Sequence, residues 1–134
     1  MLAPFFQSST SAQQQPMATN EDWLNLVQEP VLDPDLPIID PHHHFWTNRT
    51  QHTVEPHYLI DELAADTGSG HNIVATVFIE CGAVFNADAS PEFAVVGETE
   101  FANGQAALSA SGAYGALRAA AGIVGTAYLT AGAS

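Results

Sequence analysis

Asp40-Pro41-His42-His43-His44 is the stretch of this chain whose residue types and spacing could do chemistry. In an extended segment side chains alternate between faces, so His42 and His44 share one face and His43 takes the other. Two imidazoles on one face can hold a divalent cation. Zinc is the default for nitrogen ligands, with manganese and iron as open alternatives. Two ligands are half a site, because catalytic zinc usually takes about three protein ligands and keeps a further position for water. Asp40 could accept a hydrogen bond from a ring N–H, and Phe45 and Trp46 could wall a cleft. The competing reading is a solvated or packed histidine run in which Phe45 and Trp46 are simply core.

Other chemistry-bearing residues are more scattered. Arg49 follows the histidines and is one of only 2 basic residues in the chain, so it is a candidate to grip an acidic group on a substrate. Cys81 has no local base beside it and reads as a buried, inert thiol. His52, His57 and His71 lack ligand spacing and read as surface or local hydrogen-bonding groups. Asp61, Glu62 and Asp66 fall together on one helical face, which a solvated surface explains better than paired-acid catalysis.

The elements that must position these groups follow from the patterning. Residues 36–39 form a short apolar, β-branched run bounded by Pro37 and Pro41, a buried strand that delivers Asp40 and the histidines at its C-terminal end. Residues 58–66 have helical spacing and stop at Gly68-Ser69-Gly70. Residues 72–80 are too continuously apolar for a half-exposed strand and fit the centre of a parallel sheet. Residues 92–111 read as helix, split by Gly97 and Gly104. A third strand is expected within 119–129, centred on Ile123 to Leu129. Strand, helix, strand, helix, strand is the order of parallel β/α units, so the fold class is α/β. Upstream, 1–19 reads as a disordered Ser/Gln/Thr/Pro-rich tail, with Met17 an alternative start. A short helix capped by Asn20 then carries Trp23, Leu24 and Val27 before Pro30.

Composition limits the function classes. The formal net charge is −13, which disfavours phosphate backbones and anionic lipid surfaces, so neither nucleic acid nor membrane binding is expected. No signal sequence or bilayer-spanning run is evident, and the default compartment is cytoplasmic. The single cysteine excludes an internal disulfide framework. Only 13% of residues are charged, and a three-strand β/α sheet would leave an edge uncovered. Both point to residues 20–134 as part of a larger domain, or to an oligomer.

Ile38-Ile39-Asp40-Pro41-His42-His43-His44-Phe45-Trp46 resembles the opening motif of the amidohydrolase superfamily, specifically its amidohydrolase-related (amidohydrolase 2) branch. The segments 70–82, 96–101 and 121–125 are similar to that branch as well, so the likeness runs from about residue 22 to about residue 129. The resemblance implies the first three or so β/α units of a (β/α)8 TIM barrel, truncated after them, with the site at the C-terminal rim of the strands. It implies His42 and His44 as metal ligands, most simply of Zn2+, and hydrolysis of a carbonyl-type bond such as a lactone in a small-molecule substrate. Some lactonases of the branch work without metal, and there the histidines would stabilise an oxyanion. In that frame Glu80, ending the second strand, faces the site, and Glu80, Trp46 and Arg49 become candidate substrate contacts. The general base is expected beyond residue 134, and the isolated chain is expected to be inactive. Tyr128 stands where the branch usually carries an acidic residue, so the last strand departs from the branch's pattern at the position of that contact. The rival reading is a non-enzymatic metal-binding or interaction module.

Overall fold

The computed structural model describes residues 25–49 and 56–131. The tail at 1–19, the Met17 start, His52 and the Asn20 cap lie outside the described residues. Within them, residues 25–29 form a turn and irregular chain rather than the end of a helix, and Leu26 and Val27 are exposed.

The described residues form three strands and three helices. They are β1 (Pro37–His43), α1 (Ile60–Thr67), β2 (Asn72–Ile79), α2 (Pro91–Ala94), α3 (Val96–Ala110) and β3 (Arg118–Val124), followed by a 3-10 turn at Leu129–Ala131. The strands make one parallel sheet in the order β1-β2-β3. The class is therefore α/β, with β2 central as its unbroken apolar run requires.

The core lies between one face of this sheet and the helices. Phe45, Phe78, Ile60, Leu63, Ala102, Leu117, Ala119 and Ala120 form it, and Phe45 and Phe78 stack with ring centroids 5.8 Å apart. Helix α1 begins where Glu62 Oε2 accepts from the backbone N–H of Leu59, while Gln105 Oε1 on α3 accepts from the N–H of Ile60. Two of the four orphan donors near a helix start are thereby satisfied, one of them by tertiary contact. Asp61 and Asp66 lie exposed, as expected of a solvated face, and there accept hydrogen bonds from the Tyr114 and Tyr58 hydroxyls.

Three boundaries differ from the sequence expectation. Strand β1 continues through Asp40, Pro41 and His42, because Pro41 falls in an irregular stretch of an edge strand, where a missing N–H breaks no ladder. The helical break falls at Val95, before both Gly97 and Gly104, and α3 runs unbroken through them. Gly97 serves packing rather than breaking, since a Cβ there would lie 2.6 Å from the Asn86 amide nitrogen and 2.7 Å from the Val84 carbonyl oxygen. Strand β3 starts at Arg118 and ends at Val124, several residues earlier than expected. It takes its extent from β2, which it pairs from Ala75↔Arg118 to Ile79↔Val124. Along that pairing an irregularity is filled by Thr76, whose fully buried Oγ1 accepts from the Ala120 N–H at 2.9 Å. Tyr128 accordingly lies outside the sheet and is half exposed, so no strand contact comes from it.

Candidate functional site

Pairing between β1 and β2 passes from Asp40↔Thr76 directly to His43↔Phe78, so β1 spends three residues where β2 spends two. Such a bulge re-aims the side chains around it. Asp40 stabilises it through Oδ1, which accepts from the backbone N–H of His42 at 3.0 Å. This replaces the ring contact expected of Asp40, because a short side chain two residues upstream closes a local turn onto the backbone more readily than it reaches the next ring.

The outcome is a pair of imidazoles facing one another. His42 Nε2 and His44 Nε2 lie 3.3 Å apart, with the rings edge-on at a centroid distance of 4.9 Å. His44 Nδ1 lies 2.8 Å from the Ile79 carbonyl oxygen, which can only accept, so Nδ1 carries the proton and Nε2 presents its lone pair toward His42. Two nitrogens bound to one tetrahedral zinc at about 2.0–2.1 Å would be separated by about 3.3 Å, so the spacing of the pair matches that of two ligands on one cation. The backbone carbonyl on Nδ1 is the outer partner that ligating histidines usually have. Among the described residues no group of three or more His, Cys, Asp or Glu is arranged to hold a metal ion.

His43 points the other way, as strand alternation demands. It is buried against Phe45 at 4.6 Å and Phe78 at 5.9 Å, and neither ring nitrogen has a hydrogen-bond partner. Burial holds its pKa below the usual histidine value.

A cleft of about 430 Å³ runs past the histidines, lined in part by Asp40, His42, His43, His44, Trp46, Tyr58 and His71, so the buried His43 also borders it. Trp46 stacks on Tyr58 at 4.9 Å and pairs with it through backbone hydrogen bonds in both directions. The Tyr58 hydroxyl donates to Asp66 Oδ2 at 2.6 Å, and burial together with that bond pushes its pKa well above the usual tyrosine value.

The remaining sequence candidates fall beside this cleft rather than in its wall. The guanidinium of Arg49 sits over the Trp46 ring and donates through Nη2 to the Cys81 carbonyl at 2.7 Å. Glu80 is exposed, and its backbone N–H donates to the Val124 carbonyl. The fold thus brings Trp46 together with His42 and His44, sets Arg49 behind Trp46, and leaves Glu80 outside the cleft lining. Cys81 is half-buried and its Sγ lies 3.4 Å from the Phe45 carbonyl oxygen. Burial raises its pKa, with Glu98 adding to the shift and Arg49 opposing it, which is consistent with an inert thiol. His57 makes a local contact of 2.7 Å with Thr47 Oγ1, and His71, expected only as a surface group, lines the cleft while remaining exposed.

Sequence reasoning missed Glu98. This residue is 2% exposed, and its Oε1 accepts from the N–H groups of Cys81 and Ala83. Its signal was an acidic residue directly after the glycine that lets α3 approach the β2 loop.

The fold and the site together define a mixed α/β protein with a three-stranded parallel sheet and a histidine pair at the C-terminal end of its first strand. Comparison with family models, curated proteins and solved structures returned no match. Among the described residues no helix is long and apolar enough to cross a membrane.

Proposed function

We propose that this chain is the N-terminal part of a metal-dependent hydrolase of the amidohydrolase-related type, acting on a carbonyl-type bond such as that of a lactone. The observation that carries the reading is the convergence of His42 Nε2 and His44 Nε2 at 3.3 Å, with the His44 tautomer set by the Ile79 carbonyl. His42 and His44 would hold a divalent cation, most simply Zn2+. Such an ion would polarise a carbonyl and lower the pKa of a bound water.

The chain's own residues do the rest. The Ile79 carbonyl keeps the His44 proton on Nδ1, and the Asp40 carboxylate holds the bulge that presents His42. Trp46 and Tyr58 form an aromatic wall that would exclude water from one side of a bound substrate. Arg49, stacked over Trp46 and donating to the Cys81 carbonyl, ties that wall to the loop after β2. The sheet order leaves β1 and β3 each with one edge unpaired among the described residues, as expected of consecutive units of a larger β/α barrel. Two histidines fall about one short of a catalytic zinc set, so further ligands and the general base come from elsewhere in that barrel.

The isolated chain is therefore expected to bind Zn2+ without hydrolysing lactones. Calorimetric titration of the full 134-residue chain with Zn2+ tests this. Binding should be lost in the His42→Ala and His44→Ala variants while the fold, followed by circular dichroism, is retained. Binding that survives the double substitution would sink the assignment, and lactone turnover by the isolated chain would overturn the incomplete-site reading.

A further inference from the structure

The carboxylate of Glu98 is the buried group at this rim that the reading above does not use. Oε1 accepts from the Cys81 N–H at 2.9 Å and the Ala83 N–H at 2.8 Å, while Oε2 is buried with no hydrogen-bond partner. A buried carboxylate with half of its acceptor capacity unfilled works against stability. An apolar side chain of similar size would pack α3 onto the sheet at less cost. What it could not do is hold two backbone N–H groups of the loop after β2.

That loop needs holding. Gly82 has φ 77° and Val84 has φ 54°, and a β-branched residue persists in the left-handed region only where its surroundings over-determine it. One constraint is the bare backbone of Gly97, packed directly on the Val84 carbonyl and the Asn86 amide. The other is Glu98, placed in the first turn of α3, where negative charge suits the helix dipole. On its far side the same segment carries two aiming acceptors, the Ile79 carbonyl on His44 Nδ1 and the Cys81 carbonyl on Arg49 Nη2.

We propose that Glu98 is a positioning residue: by clamping the backbone of residues 81–83 to the first turn of α3, it holds the chain leaving β2, so that the Cys81 carbonyl and the Ile79 carbonyl, whose peptide also pairs with Val124 through the Glu80 N–H, keep their aim on the Arg49 guanidinium and the His44 ring. The functional meaning of this clamp rests on the metal-site reading, but its geometry can be tested without metal.

Long-range proton–nitrogen NMR on the metal-free full chain, at a pH where imidazole is neutral, reads the His44 tautomer directly. In the parent chain His44 should be protonated at Nδ1, and the amides of Cys81 and Ala83 should exchange as slowly as those inside β2. Glu98→Ala should speed exchange at both amides about tenfold or more and convert His44 to a mixture of tautomers. Glu98→Gln, which keeps an acceptor oxygen, should retain both signatures. A folded Glu98→Ala variant with an unchanged His44 tautomer overturns the proposal, as does loss of the tautomer in folded Glu98→Gln. Rapid exchange of the Cys81 and Ala83 amides in the parent also overturns it, and that measurement needs no variant to fold. Zn2+ titration of the parent reports separately on the ligand pair, so an absence of binding would remove the metal reading and leave the clamp standing or falling on the tautomer.

Discussion

His42 and His44 turn their Nε2 atoms toward each other at an open rim, whereas His43, between them in the chain, is buried against Phe45 and Phe78 with neither nitrogen partnered. One position along a strand separates a ligand pair from a packing element. Residue type is shared, so the difference comes from which sheet face the helices cover and from the acceptor each ring meets. His44 finds the Ile79 carbonyl, which fixes a proton on one nitrogen and leaves the other available. His43 packs on the Phe45 and Phe78 rings, and burial favours its neutral form.

The largest expected effect comes from removing the covered face itself. Phe78→Ala deletes a fully buried ring that both His43 and Phe45 contact, and should cost about 3–5 kcal/mol in urea unfolding. Because Phe78 immediately precedes Ile79, the His44 anchor should loosen with it, and Zn2+ binding should weaken. A variant with intact stability would mean that the buried face does not hold the exposed one.

A smaller effect of opposite sign sharpens the comparison. His43→Leu replaces an unpartnered buried imidazole with an apolar side chain of similar size, and should stabilise the fold by about 1 kcal/mol while leaving Zn2+ affinity unchanged. Destabilisation measured in the same urea titration would show that the His43 nitrogens contribute after all, and the contrast with its neighbours would fail.

The smallest effect concerns the neighbouring rim. Burial raises the Cys81 pKa, so over the ordinary cysteine range of about 8–9 the folded chain keeps a proton that the unfolded chain gives up. Stability is then present below that range and declines as pH rises through it. Cys81 should also alkylate more slowly in the native than in the urea-denatured chain. The urea midpoint should fall modestly between pH 8 and 10, and less so in Cys81→Ala. Equal declines in the two proteins would assign the slope elsewhere, for instance to Tyr58, whose pKa is also raised.

Much of this arrangement was legible in the residues, and the exceptions share a cause. The continuous apolar run of β2 identified it as central, and the histidine spacing separated the buried His43 from the paired His42 and His44, although the bulge at residues 40–43 also shapes how those rings face. The end of β3 was misread because Val124-Gly125-Thr126-Ala127-Tyr128 is as strand-compatible as what precedes it. Pairing with β2, which reaches only Ile79↔Val124, decided where it stopped. Gly97 was read as a helix weakness when its lack of a Cβ serves the loop packed on it. Glu98 and Thr76 were invisible as key polar groups, since each acts on backbone N–H groups of residues 15 or more positions away.

By itself the sequence determined the α/β class, the central strand, and the division of three histidines between two faces, since each follows from local periodicity and backbone sterics. Only the tertiary structure decided that a bulge held by Asp40 brings two Nε2 atoms to 3.3 Å, that a carbonyl on the next strand sets a tautomer, and that a buried glutamate grips the adjoining loop. Those outcomes depend on register and on which non-local backbone groups remain unpaired, and both are set when strands and helices pack.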